Sequence, residues 1–376
     1  MNLIDWNLVW LYTFYTFIGV TSVQVIYYLF FFSRIIFIKK RKNDEANSQP
    51  VSIIICAKNE LENLQKNLHA ILEQNYPQYE VILVNDNSQD GSNDLLCHLK
   101  AQYPHLKVID ILQESRTFKG KRLALSLGLK SAKYDWCLLT DADCAPAGSN
   151  WLYTMQRNFK PNKEIVIGYA PYYKQKGFLN KCIRFETFFT AFQYINFSLS
   201  GLPYMGVGRN MAYRKKLYFD SKGYISTSNT VSGDDDLFIN KVATSKNTTV
   251  EIDASTFMYS NPKLTWEHWF IQKRRHISTG NKYKKGHQFL LGLQTATHFL
   301  FYFLLVILLV VKFQWMIVCI LFGVRFLLQA IDYAVAMRKL KEADLFWLFP
   351  IFDILLIIYH IALLPSMIKK PNTQWR

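Results

Sequence analysis

Apolar residues fill four long stretches of this chain and thin out between them. The first, residues 8–38, carries a single charge, Arg34. It is longer than the roughly 20 apolar residues that cross a bilayer. Lys39, Lys40, Arg41 and Lys42 follow directly, whereas the seven residues before it hold only Asp5. A secretory signal places its positive charge first and has a shorter apolar core. The reversed order predicts a retained anchor whose C-terminal end is cytoplasmic. Residues 290–311, 315–336 and 345–368 are also long enough to span. Arg325, Asp332, Asp353 and His360 lie inside them and are expected to face other helices or a water-filled pocket, because lipid burial of such groups is costly. Arg338, Lys339 and Lys341 mark a cytoplasmic loop. Four spans would leave the tail outside, yet Lys369, Lys370 and Arg376 favour the inside. The count is therefore four, with one of the last segments expected to be re-entrant or interfacial.

Between these stretches lies a polar block, residues 43–285. It opens on VSIIICAKNE, a continuous β-branched run that suits a strand buried on both faces. Residues 61–73 then carry Leu61, Leu64, Leu68, Ile71 and Leu72 at helical spacing. A second buried strand follows in YEVILVNDNSQDGS, then a helix over 94–102, a strand over 107–111, a helix over 121–132 and a strand over 136–140. Alternating strands and helices predict a parallel α/β sheet with right-handed crossovers. Ligands in such sheets bind beyond the carboxyl ends of the strands. Lys58, Asn59 and Glu60, Asn85, Asp86 and Asn87, and Asp141 and Asp143 are expected to share that rim. Residues 178–199 form a further aromatic-rich helix, either lying on the membrane face or buried in the domain. The expected organisation is an anchor (1–42), a soluble domain (43–285) and a C-terminal membrane region of about three spans (286–376).

Charge and cysteine usage narrow the class. The chain has 376 residues and 44 Lys and Arg against 28 Asp and Glu, a formal charge of +16. That balance fits an anionic membrane surface. With spanning segments and no RNA-binding signature, nucleic acid is not expected as a partner. Cys56, Cys97, Cys137, Cys144, Cys182 and Cys319 show no CxxC pair and suit a reducing compartment. No GxGxxG follows the first strand and no Walker A sequence occurs, which disfavours a dinucleotide oxidoreductase and a P-loop NTPase.

The chemistry concentrates in a few strings. In LLTDADC, Asp141 and Asp143 are two acids one residue apart at a strand end, pointing the same way by strand alternation. Converging carboxylates repel unless a cation sits between them, and hard oxygen ligands suit Mg²⁺ or Mn²⁺. AKNE, NDNSQDGS and RTFKGKRLALSLGL precede this string. VSGDDDLFIN, with three adjacent carboxylates, follows it about ninety residues later, and WEHWFIQKRRH comes after that.

This ordered set resembles the family 2 glycosyltransferases of GT-A fold, in their membrane-anchored form, over about residues 50–285. The resemblance implies an α/β, Rossmann-like domain. It implies inverting, metal-dependent transfer of a sugar from a nucleotide-sugar donor, UDP-sugar favoured, to a lipid or lipid-linked saccharide. It implies that Ala57, Glu60, Asp86 and Asp90 contact base and ribose, although Asn85-Asp86 lacks one acid of the usual pair. Lys119 and Lys121 would meet the nucleotide or its diphosphate. Asp143 would hold the cation, and Asp141 would contact ribose, sugar or metal. Arg209 and Asn210, in GVGRNMAYRK, would line the sugar and acceptor side. Asp234-Asp235 would be the acidic pair, with Asp235 the catalytic base. Gln272, Arg275 and His276 match the QxxRW motif with His in place of Trp, which implies a different acceptor. The expected location is the inner cell membrane, with the domain cytoplasmic. The alternatives are a processive polysaccharide synthase and a non-catalytic nucleotide-sugar-binding membrane protein.

Overall fold

A computed structural model describes residues 6–39, 48–112, 121–221, 235–277 and 279–368. Two of the expected site residues, Lys119 and Asp234, lie outside the described residues.

Strand β1 (Val51–Ala57) runs through the middle of the parallel part of a seven-stranded sheet. All seven of its residues are buried, which is why its apolar run is unbroken rather than alternating. It pairs in parallel with β2 (Tyr79–Asp86) and β4 (Trp136–Asp141), and β2 pairs in parallel with β3 (Leu106–Ile111). Two short strands, β5 (Cys144–Pro146) and β9 (Met258–Ser260), form a separate antiparallel pair just past β4. The sheet continues through β6 (Ile165–Ile167), β7 (Met211–Arg214) and β8 (Thr248–Val250), in the order β3-β2-β1-β4-β7-β6-β8. Strand β7 runs antiparallel to both β4 and β6, and β8 runs parallel to β6.

Side-chain alternation sends Ile53 and Ile55 to one face, against α2 (Leu61–Leu72) and α3 (Ser92–Gln102). Ile54 and Cys56 go to the other, against Leu125 and Leu129 of α4 (Arg122–Ser131). Helix α5 (Trp151–Gln156) closes the first face with Trp151 and Met155. Helix α6 (Phe178–Leu199) joins the second core, and Phe185, Phe188, Phe192 and Tyr194 on it are buried. Of the two readings of this aromatic helix, the buried one holds. Helices α7 (Lys215–Asp220), α8 (Asp236–Val242) and α9 (Trp266–Ile277) complete the domain.

Four helical segments are long and apolar enough to cross a membrane: Trp6–Phe37, Lys285–Val310, Trp315–Lys339 and Ala343–Pro365. They contain α1 (Trp6–Ile26), α10 (Lys285–Val310), α11 (Trp315–Lys339) and α12 (Phe349–Ile368). Helix α1 packs along α10, with Phe17 stacked on Phe301 at 5.4 Å and Gln24 donating to Thr297 Oγ1 at 2.7 Å. Of the ionisable residues within the apolar stretches, Arg325, Asp332 and Asp353 turn inward, His360 is half-buried and Arg34 is exposed. Arg325 and Asp353 are buried and paired at 3.1 Å, and Gln329 and Tyr302 also donate to Asp353 at 2.7 Å each. The domain is bolted to this bundle by Arg184 of α6, which bonds Glu342 and Asp344 before α12 begins. The aromatic core of α6 continues into the bundle, with Phe185 stacked on Phe352 and Tyr333 against Phe188 and Phe192.

Candidate active site

The strand ends are aligned by register. Ala57 sits opposite Asn85, and Cys56 opposite Asp141, so β1, β2 and β4 end on one rim. The turns leaving β1 and β2 place Asn59 and Asn87 at φ of 54° and 53°, a left-handed conformation that asparagine tolerates. The side chains of Asn59 and Ser88 cross-brace the rim, since Asn59 Oδ1 accepts from Gln89 N at 2.8 Å and Ser88 Oγ accepts from Asn59 N at 2.9 Å.

A cavity of about 1370 Å³ opens beside this rim. Lys58, Glu60, Lys121, Asp141 and Asp143 line one side, and Arg209, Asp235, Gln272, Arg275 and His276 line the other. These ten residues, all singled out from the sequence, thus face one space. Lys121, at the entrance to α4, donates to Asp141 Oδ1 at 2.5 Å. Burial alone would raise the Asp141 pKa, but Lys121, Arg209 and Arg275 outweigh it and hold the carboxyl below its usual range. Glu60 shifts the other way, raised by burial and by the nearby Asp143 and Asp141, against a hydrogen bond from Asn63. Asp141 and Asp143, with Glu60 near enough to feel their charge, offer oxygen donors of the kind that suits a hard divalent cation. Asp141, Asp143 and Cys144 offer atoms within 4.8 Å of one another. Burial and the two aspartates push the Cys144 thiol well up, and it donates to Asp143 Oδ1 at 3.1 Å. Cys144 therefore orients Asp143 rather than acting as a thiolate ligand. The oxygen donors are the ones that fit Mg²⁺ or Mn²⁺.

Two of the three adjacent acids of the SGDDDL string can be placed. Asp235 caps the start of α8, and its Oδ2 accepts from Gly208 N at 2.6 Å. No described residue donates to its other oxygen. A Cβ on Gly208 would come within 2.9 Å of that same Oδ2, so the close approach requires glycine. A Gly208→Ala substitution is expected to displace the Asp235 carboxylate and, with Asp235 as the general base proposed below, to lower kcat by about 10²-fold. Circular dichroism of the variant should remain native.

Asp236 also lines the cavity, but it is buried and its oxygens are engaged. Thr279 Oγ1 and Tyr283 OH donate to its Oδ2 at 2.6 and 2.8 Å, and Leu237 N donates to Oδ1. Burial, followed by the Asp235 charge, raises its pKa to about 6. A raised folded-state pKa means that the native state binds this proton more tightly than the unfolded chain. The associated stability is present below about pH 4 and is lost as pH rises through about 6. Asp236→Asn should therefore gain in Tm relative to wild type between pH 4.5 and pH 7.5, measured by scanning fluorimetry. An unchanged difference across that range contradicts the assignment.

The remaining expected residues separate into two groups. Arg209 lines the cavity, its guanidinium 4.7 Å above the Tyr172 ring and donating to Ala170 O at 3.0 Å and to Ser260 Oγ. Gln272 donates to the Tyr172 hydroxyl at 3.3 Å. His276 lines the cavity, where desolvation and the charges of Lys273, Arg275 and Arg209 lower its pKa. Asn210 is a correction: it does not reach the cavity. It is fully buried, donating to Tyr169 O and Thr256 O at 2.7 Å each and accepting from Trp151 Nε1 at 3.1 Å, so its side chain has nothing left for an acceptor. Asn210→Ala strands these buried groups and should cost about 1–3 kcal/mol for each one left unsatisfied, seen as a fall in Tm. Asp90 ties two elements together, accepting from Leu61 N at 2.8 Å and from Ser92 N and Oγ, beside Gly91 at φ +88°. Burial opposes, but these bonds lower its pKa. Ala57 and Asp86 end β1 and β2 on the rim without lining the cavity wall. Tyr172, Thr279 and Tyr283 shape the site and carry no motif. Only their contacts to residues 37 to 47 positions away reveal them.

Residues 52–219 match the family described as Glycosyl transferase family 2, and residues 138–363 match Glycosyl transferase family group 2. The chain is 28% identical over 147 residues to the poly-beta-1,6-N-acetyl-D-glucosamine synthase of Staphylococcus epidermidis, 38% of this chain and 34% of that protein. It is 33% identical over 104 residues to the glycosyltransferase AglE of Haloferax volcanii, 27% of this chain and 33% of that protein. The matched stretch thus spans about a third of these curated relatives. The mannosyltransferase PcManGT of Pyrobaculum calidifontis, solved with GDP-Man and Mn²⁺, shares the fold at a TM-score of 0.58 and 16% identity, over 93% of this chain and 98% of that one. The second family match covers more than half of the chain and takes in Asp141, Asp143, Asp235 and the C-terminal apolar helices: this protein belongs to the family 2 glycosyltransferases, on a GT-A fold.

Proposed function

We propose that this protein transfers a sugar from a nucleotide-sugar donor, with a UDP-sugar preferred, to a lipid or lipid-linked saccharide, inverting the anomeric carbon. The observation that carries this reading is the convergence of Glu60, Lys121, Asp141, Asp143, Arg209, Asp235 and Arg275 on one cavity that continues down to the membrane helices. Asp143 and Asp141 would hold a divalent cation, Mg²⁺ or Mn²⁺, which neutralises the leaving diphosphate. Lys121 keeps Asp141 ionised and adds positive charge near the diphosphate. Ala57, Asp86 and Glu60 would contact base and ribose, and Gln272, Arg275 and His276 would bind the acceptor side.

Asp235 takes the proton of the acceptor hydroxyl as general base. The hydroxyl oxygen then bonds to the anomeric carbon as the bond to the diphosphate oxygen breaks, its electron pair leaving with the nucleoside diphosphate. No covalent enzyme intermediate is required. The basic flanks of the spans support a cytoplasmic domain at the inner membrane, with residues 1–42 as anchor and 286–376 as the C-terminal membrane region. The test is a donor screen on the purified full chain with UDP-, GDP- and dTDP-sugars and Mg²⁺ or Mn²⁺. Release of nucleoside diphosphate from one donor, abolished by EDTA, supports the reading. No release from any donor with membrane lipid extract present contradicts it.

Similarity to poly-N-acetylglucosamine synthases supports a second reading, a processive synthase. Product chain length separates the two, because single-sugar transfer yields one addition per acceptor.

A further inference from the structure

The cavity exceeds the roughly 300–1,000 Å³ that a small-molecule site occupies. Past the acids it runs between α10 and α12, where its walls become Leu291, Gly292, Ala296 and Phe299 on one side and Leu356 and Leu363 on the other. These two helices are pinned at one place, where His298 and Tyr302 of α10 meet Asp353 of α12 at 3.2 and 2.7 Å. Every α12 residue on the cavity wall follows Asp353, and every α10 residue on it precedes Tyr302. The helices therefore diverge from that pin on the side facing the domain. Helix α12 rests chiefly on α9, α6 and the turn before it, with Tyr359 stacked on Trp269 at 5.7 Å and Phe352 on Phe185 at 4.7 Å. Phe299, Ile361 and Leu364 at the mouth of the gap are 43%, 56% and 57% exposed, although they belong to membrane segments. Thr295, His298 and His360 also line this part, with Thr190 and Gln193 of α6, but the α10 and α12 walls are mostly hydrocarbon, which suits a lipid chain better than a saccharide.

We propose that the gap between α10 and α12 is a lateral entry lane for the hydrocarbon chain of a long-chain lipid substrate, whose polar head reaches Asp235 and Arg275. This rests on the transferase reading and specifies where its acceptor binds. The lane places the reacting hydroxyl or phosphate in the water-filled end and leaves the chain in the bilayer. Gly292 is where the lane can be filled at least cost, since a Cβ there meets nothing within 4 Å.

The test uses the full chain in detergent with a long-chain alkyl phosphate carrying a diazirine on its chain, followed by peptide mapping. Labelling is expected on residues 291–299 and 356–364. It should be competed by unlabelled long-chain alkyl phosphate and alkyl glycoside, and not by inorganic phosphate. Gly292→Phe and Ala296→Trp should each reduce it about tenfold or more, the effect of excluding two methylenes. Ile320→Trp, on a lipid-facing side of α11, should leave it unchanged. Labelling confined to Phe303, Val306, Ile320 and Leu327, or insensitive to both lane variants, overturns the proposal. Nucleotide-sugar binding measured in the same preparation separates the two ideas. Its absence sinks the transferase reading, whereas intact donor binding with an unlabelled lane sinks the lane alone.

Discussion

Asp235→Asn protein is expected to bind its nucleotide-sugar donor with near wild-type Kd and to transfer sugar about 10²- to 10⁴-fold more slowly, the range that a positioned general base supplies. Asp235 and Asp236 both line the cavity, and two features single out Asp235. It is fixed by Gly208 N through one oxygen, and it lies close enough to Lys121 to help raise that lysine's pKa, against the burial that lowers it. Asparagine keeps an oxygen for the Gly208 bond and loses only the ability to accept the acceptor proton. Asp236→Asn makes the contrast, because Asp236 spends its oxygens on Thr279, Tyr283 and Leu237. Its main effect should be on stability. If the Asp235 variant turns over normally while the Asp236 variant is inactive, the proton acceptor has been assigned one residue too early.

Asp143→Asn should have the second large effect, lowering kcat/KM by about 10²-fold or more, because Lewis-acid stabilisation of a leaving diphosphate is worth several kcal/mol. Added Mn²⁺ should restore little of the loss. Cys144→Ser replaces one hydrogen donor to Asp143 by another and should stay near wild type, although the thiol lies within the same cluster. A Cys144→Ser variant as crippled as Asp143→Asn, with a changed metal preference, contradicts the view that the thiol only orients its neighbour. The two assays share a preparation, since metal titration of nucleotide release reads both.

The parts of the fold legible in the sequence were those where one physical signal dominates. The unbroken apolar run of β1 predicted a strand buried on both faces, and the strand ends carrying Glu60, Asp141 and Asp143 predicted a shared rim. Both follow from local pattern. The antiparallel half of the sheet was not legible, because β6 and β8 are three residues each and too short to show a period. Helix α6 was ambiguous because its aromatic residues are buried nearly all round, serving the sheet on one side and the membrane bundle on the other. Asn210 misled because its place beside Arg209 in GVGRN suggests a shared role. The turn before β7 sends Arg209 into the cavity and Asn210 into the core. Tyr172, Thr279 and Tyr283 carry no local signal, since each acts through a contact made only by the folded chain.

The most direct measurement is a reconstitution. The full chain is placed in liposomes with membrane lipid extract, a radiolabelled nucleotide-sugar and Mn²⁺ or Mg²⁺, and the anomeric configuration of the extracted product is read by NMR. The account predicts sugar joined to a lipid-phase product with configuration inverted relative to the donor, lost in Asp235→Asn and Asp143→Asn and abolished by EDTA. Donor that binds but is never consumed contradicts it, as does a product with retained configuration.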